Sequence, residues 1–147
     1  DFPLNAQEGI SVLVAGRNFG SGSSREAAVY ALVDSDIRAV IAPSFGDIFA
    51  SNAVNNGLLP AQIDEATYVA LSQSLERGPQ TITIDLGARS LQLGSVEARF
   101  SVDDSWALKL MNGWDDIDLT RHHRTAIAAF KNIRHQTTAW AWPNGAD

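Results

Sequence analysis

The chain contains no cysteine, which excludes disulfides, thiolate zinc sites and any iron–sulfur cluster held by its own side chains. Chemistry of that kind has to be brought by a partner. Basic residues are few, 11 against 17 acidic ones for a net charge of −6, and they form no block. A main role in nucleic-acid binding, which needs cations clustered over phosphates, is thereby excluded. No lysine precedes Lys109, which excludes a lysine-bearing phosphate loop in the first hundred residues. Long apolar runs are also missing: the longest are far too short to span a bilayer, and no signal peptide opens the chain. The reading is a soluble, cytoplasmic protein without internal repeats or low-complexity linkers.

What is present is a chain of 147 residues with 45% hydrophobic content, enough to bury one sizeable core. It opens on Asp1 and enters a core strand almost at once, so it reads as a fragment or processed form. Residues 1–135 are expected to form one domain. The stretch 136–147, with Trp140 and Trp142 and no sustained period, reads as a mobile tail.

Hydrophobic periodicity orders the elements. Ser11–Gly16 suits a buried strand and Ala27–Asp34 a helix, and Arg38–Ala42 is a second apolar strand closed by Pro43. This β-loop-α-β unit predicts parallel pairing. Ser44 is placed to cap a helix with Phe45, Ile48, Phe49 and Ala53 on its apolar face, ended by Asn56-Gly57. Leu58–Ile63 follows as a strand whose Pro60 assigns it to an edge or start. Asp64 caps a helix to Arg77. Thr81–Leu86, Ser90–Leu93 and Ala98–Val102 alternate as antiparallel strands do. Helices over about 103–111 and 120–133 complete the pattern. The fold class expected is α/β, a single layered domain with a mixed sheet or barrel-like core and flanking helices.

The run Gly20-Ser21-Gly22-Ser23-Ser24-Arg25-Glu26 lies between the first strand and first helix. Its glycines let backbone come close to a ligand, and a helix N-terminus points N–H groups at an anion. A dinucleotide fingerprint would need glycine where Arg25 stands, and a nucleotide phosphate loop would need a lysine that the region lacks. Two readings of the serines remain. Ser23 and Glu26 match a capping box, in which both side chains satisfy backbone N–H groups. Against this, Arg25 opposes the helix dipole, which suggests an anionic ligand such as a carboxylate. His122, His123 and His135 read as surface residues. Asp115, Asp116 and Asp118 lack the spacing of a calcium loop and read as a helix-capping turn. Phe45, Phe49, Trp106 and Trp114 read as core or subunit contacts.

Three separated blocks, in order, carry a resemblance that covers the chain to about Lys131. They are Val14-Ala15-Gly16-Arg17-Asn18-Phe19-Gly20-Ser21-Gly22-Ser23-Ser24-Arg25-Glu26, then 38–60 with its Pro43-Ser44-Phe45 and Asn56-Gly57-Leu58-Leu59-Pro60, and Met111-Asn112-Gly113-Trp114-Asp115-Asp116-Ile117-Asp118-Leu119-Thr120. Together they resemble the small subunits of 3-isopropylmalate dehydratase, the aconitase-type swivelling β/β/α domain. The resemblance implies a hydro-lyase of leucine biosynthesis, active only with a large subunit whose cysteines hold a [4Fe-4S] cluster acting as Lewis acid. By the motif Ser23 is the catalytic base, and Ser24, Arg25 and Gly22 bind the substrate carboxylate. Three departures stand out: Ser21 replaces the usual Cys, Ala27 the usual His, and an upstream segment with a substrate-selecting loop is not found. They leave open a subunit for citraconate/2-methylmalate or homoaconitate, and a non-catalytic carboxylate-binding or assembly module. A missing upstream strand also predicts an exposed sheet edge.

Overall fold

A computed structural model describes residues 9–22 and 25–142. The chain forms two compact units, Asp1–Trp114 and Asp115–Asp147.

In the first unit, β1 (Val12–Val14), β2 (Ala39–Ala42) and β3 (Leu59–Gln62) form a parallel sheet in that spatial order. The register pairs Leu13 with Val40 and Val40 with Pro60. Proline is tolerated in β3 because the strand lies at the sheet's edge. Among the described residues β1 is the other edge. A second sheet, antiparallel, consists of β4 (Ile82–Asp85), β5 (Ser90–Leu93) and β6 (Val96–Arg99). The expected mixed sheet is thus two sheets, joined where Gln62 and Ser101 exchange backbone hydrogen bonds of 3.1 and 2.7 Å. β6 starts two residues earlier than its alternation suggested, because the β5–β6 turn needs only Gly94 and Ser95.

Strand alternation sorts the apolar residues into two layers. Ala39, Ile41, Leu59 and Ala61 face Leu91, Leu93 and Phe100 of the second sheet region, with Leu71 of α3 (Glu65–Leu75) beside them. Val40 faces the opposite way, toward Val29 of α1 (Ala27–Asp34) and Phe49 and Ala53 of α2 (Asp47–Asn55). Sheet, sheet and helices therefore stack in the β/β/α order. α3 is capped by Asp64, whose carboxylate accepts from the Thr67 N–H at 2.7 Å. α4 (Asp104–Asn112) is capped by Asp103 and ends on Gly113 at φ 65°. α2 departs from the sequence reading: its N-cap is Gly46, not Ser44, and its buried face is Phe49, Ala50, Ala53 and Val54. Ile48 lies off that face and is 54% exposed.

The second unit holds α5 (Asp116–His122), α6 (Arg124–Thr137) and a short 3-10 turn at Ala139–Ala141. The single helix expected over 120–133 is broken at His123, and helical structure continues to Thr137. Asp115 caps α5 through the Asp118 N–H, the role its acidic turn suggested. No helix among the described residues is long and apolar enough to cross a membrane.

Candidate active site

The loop 15–26 leaves β1 at the carboxyl end of the parallel sheet, the edge at which open α/β sheets bind ligands. It is laced to the segment leaving β2. Phe19 N–H donates to the Ser44 carbonyl at 3.0 Å, and Gly46 N–H returns a bond of 2.9 Å to the Phe19 carbonyl. Asn18 sits at φ 56°, a left-handed conformation that Asn tolerates. Its N–H donates to Ser44 Oγ at 2.8 Å, and the Ser44 hydroxyl donates to Asn18 Oδ1 at 3.1 Å. That double bond is why Ser44 does not cap α2. Ser21 N–H closes a turn on the Asn18 carbonyl at 3.1 Å.

Two glycines carry the close approach. Gly20 has φ 75°, and a Cβ there would lie 2.2 Å from Cγ of Phe49. Phe49 cannot yield easily, because Phe19 packs edge-on to it at 5.2 Å and Phe45 lies nearly parallel at 6.3 Å. A Cβ on Gly46 would come within 2.9 Å of the Ser21 Cα. The start of α2 thus presses on the turn that presents the next residues. Arg17 fastens the loop's near end to α3 through Glu65 at 2.9 Å.

Of the residues singled out by sequence, Gly22 and Arg25 are exposed at the head of α1, and nothing lies within 4 Å of where a Gly22 Cβ would be. Ser23 and Ser24 lie outside the described residues. α1 starts at Ala27, with Glu26 as its N-cap making no side-chain cap bond; the Ser23 half of the capping-box reading lies outside the described residues. Glu26 accepts a hydrogen bond from Asn56 Nδ2 at 2.9 Å. Beside the loop, a cavity of about 550 Å³ opens between the starts of α2 and α4, lined by Phe45, Asp47, Gln62, Ser101, Asp103 and Trp106. The described residues contain no group of three or more His, Asp or Glu side chains that could hold a metal ion.

Sequence reasoning missed the supports: Asn18 with Ser44, Gly46 against Ser21, and Asn56 on Glu26. Asn56 was legible only as a helix stop, and its second partner lies 30 residues away.

Residues 2–66 match the Aconitase C-terminal domain family. Among curated relatives, the 3-isopropylmalate dehydratase small subunit of Salinispora tropica is 47% identical over 90% of this chain and 70% of its own length. Those of Frankia casuarinae and Shouchella clausii are 46% and 42% identical, with 72% and 68% of their lengths covered. The crystal structure of 3-isopropylmalate dehydratase (leuD) from Methanocaldococcus jannaschii superposes with a TM-score of 0.62 at 30% identity, over 88% of this chain and 73% of that one. The chain belongs to the family of 3-isopropylmalate dehydratase small subunits.

Proposed function

We propose that this chain is the small subunit of a 3-isopropylmalate dehydratase, a hydro-lyase of leucine biosynthesis that interconverts 2- and 3-isopropylmalate through isopropylmaleate. The observation that carries the proposal is identity of 42–47% with named small subunits over most of the chain, joined to a glycine-spaced loop at the carboxyl end of its parallel sheet. A small subunit works with a large one, and the reading assigns the [4Fe-4S] cluster to that partner. The residues of this chain do not fit a cluster, having no cysteine and no metal-binding group among the described residues.

In this reading Ser23 acts as the base that takes the carbon-bound proton. Ser23, as its alkoxide, takes the proton on Oγ while hydroxide leaves the neighbouring carbon, for which the partner's cluster would supply a Lewis acid when bound, and the alkene forms between the two carbons. Returning water to the other carbon completes the isomerisation. A serine oxygen is a poor base unless its anion is stabilised, and the N-terminal N–H groups of α1 together with the Arg25 guanidinium are the available stabilisers. Arg25 offers a planar fork suited to a carboxylate, and Ser24 adds a second donor. Gly22, with open space around it, leaves room for the substrate.

The test mixes this chain with a cluster-loaded large subunit and follows the alkene absorbance of isopropylmaleate from 3-isopropylmalate, with citraconate as the competing acid. Alkene formation from 3-isopropylmalate is expected, reduced about 10²-fold by Arg25→Lys, since a point charge cannot reproduce the bidentate grip. Turnover of citraconate alone would overturn the substrate assignment.

A further inference from the structure

Glu26, the N-cap of α1, makes no side-chain cap bond, and its carboxylate is turned to other partners. It accepts from Asn56 Nδ2 at 2.9 Å, and it lies beside Tyr30, one turn along α1, whose hydroxyl pKa it raises. Asn56 is itself anchored on α2: its amide also donates to the Asn52 carbonyl at 2.8 Å, and its N–H reaches the carbonyls of Asn52 and Ala53 at 3.2 and 3.1 Å. Both amide protons are therefore committed, one to each helix. α2 consequently touches the loop at its two ends, Gly46 against Ser21 before the serines and Asn56 against Glu26 after Arg25.

We propose that Asn56, acting through Glu26 with Tyr30, is a positioning residue that sets the orientation of Arg25 and the loop ahead of α1 for the dehydratase reaction. The inference rests on the functional reading above. Its rival is plain helix-end capping by Asn56, which would affect α2 and nothing else. Substitution can separate the two because the bond has a direction. Asn56→Asp keeps the size but opposes one carboxylate with another and loses the bond to Asn52. Adding Glu26→Gln reverses donor and acceptor and restores the link to α1, while the lost bond to Asn52 stays lost.

The experiment measures Tm and two further quantities on the same four chains: wild type, E26Q, N56D and E26Q/N56D. The first is kcat/KM for alkene formation with saturating large subunit. N56D should fall at least tenfold, E26Q should stay within threefold of wild type, and the double variant should return to the level of E26Q although its Tm remains low. The second is the backbone amide NMR spectrum of each chain alone. N56D should move the resonances of residues 22–27, and E26Q/N56D should bring them back. A change confined to residues 52–57, or a double variant as slow as N56D, would overturn the proposal. Wild-type turnover, read separately, reports on the functional reading, and the amide shifts judge the clamp independently of it.

Discussion

Gly20 and Gly46 show how much of the site depends on missing side chains. At Gly20 a methyl group would meet a Phe49 ring held by two other rings, and the residue's φ of 75° is strained for any L side chain. Gly20→Ala should therefore cost about 2–4 kcal/mol, combining overpacking with the left-handed backbone penalty, and a denaturant midpoint would register it. Gly46→Ala differs, because φ there is −69° and alanine can adopt it. The clash is with the Ser21 backbone, which cannot swing aside as a side-chain end can, so this variant should lose turnover and also lower the denaturation midpoint, through overpacking alone. At this scale the sequence was informative where chemistry is local. The glycine spacing and the charge of Arg25 marked the loop, and the helix boundary Ala27–Asp34 was read correctly from its composition. The bonds of Asn18 with Ser44 and of Asn56 with Glu26 span 26 and 30 residues, and no local pattern encodes such partners.

Among the elements, the starts of α3, α4 and α5 follow the rule that short acidic side chains satisfy free N–H groups, and α4 offers a titratable case. The Ser105 hydroxyl and N–H donate to the Asp103 carboxylate, which with the Trp106 N–H and the charge of Arg89 holds its pKa below the ordinary aspartate value. A carboxylate with a depressed folded pKa adds stability that is fully present above its unfolded value near pH 4, and loses it as pH falls through the lower folded value. Asp103→Asn, still a capping residue, should flatten the dependence of stability on pH below about 4 relative to wild type. An unchanged acid limb in urea titrations at stepped pH would contradict the assignment. α2 provides the opposite lesson. Its spacing suggested Ile48 on the apolar face, but the face that packs inward is Phe49, Ala50, Ala53 and Val54, and Ile48 is exposed. Ile48→Ser should change stability by less than about 0.5 kcal/mol.

For the molecule as a whole, the three layers explain which strands carry the fold and which present the site. β2 is buried along its length because it has a layer on each face, with Ile41 toward the second sheet and Val40 toward α1 and α2. Leu91, at the centre of the sheet-to-sheet layer and 1% exposed, should cost about 2–5 kcal/mol when replaced by alanine. The alternation of apolar residues made the layers legible. How the parallel and antiparallel strands join was not legible, because among the described residues the link is the pairing of Gln62 with Ser101, 39 residues apart in sequence. All three parallel strands point their carboxyl ends toward the edge from which the loop emerges. The central claim is that this loop brings the proton-accepting serine to the assembled enzyme. The most direct measurement is steady-state dehydration of 3-isopropylmalate by the complex containing Ser23→Ala, with binding of the large subunit measured in parallel. The account predicts unchanged association and a turnover lower by about 10²–10⁴-fold, the span expected when a general base is removed. A complex that assembles normally and turns over at the wild-type rate would contradict it.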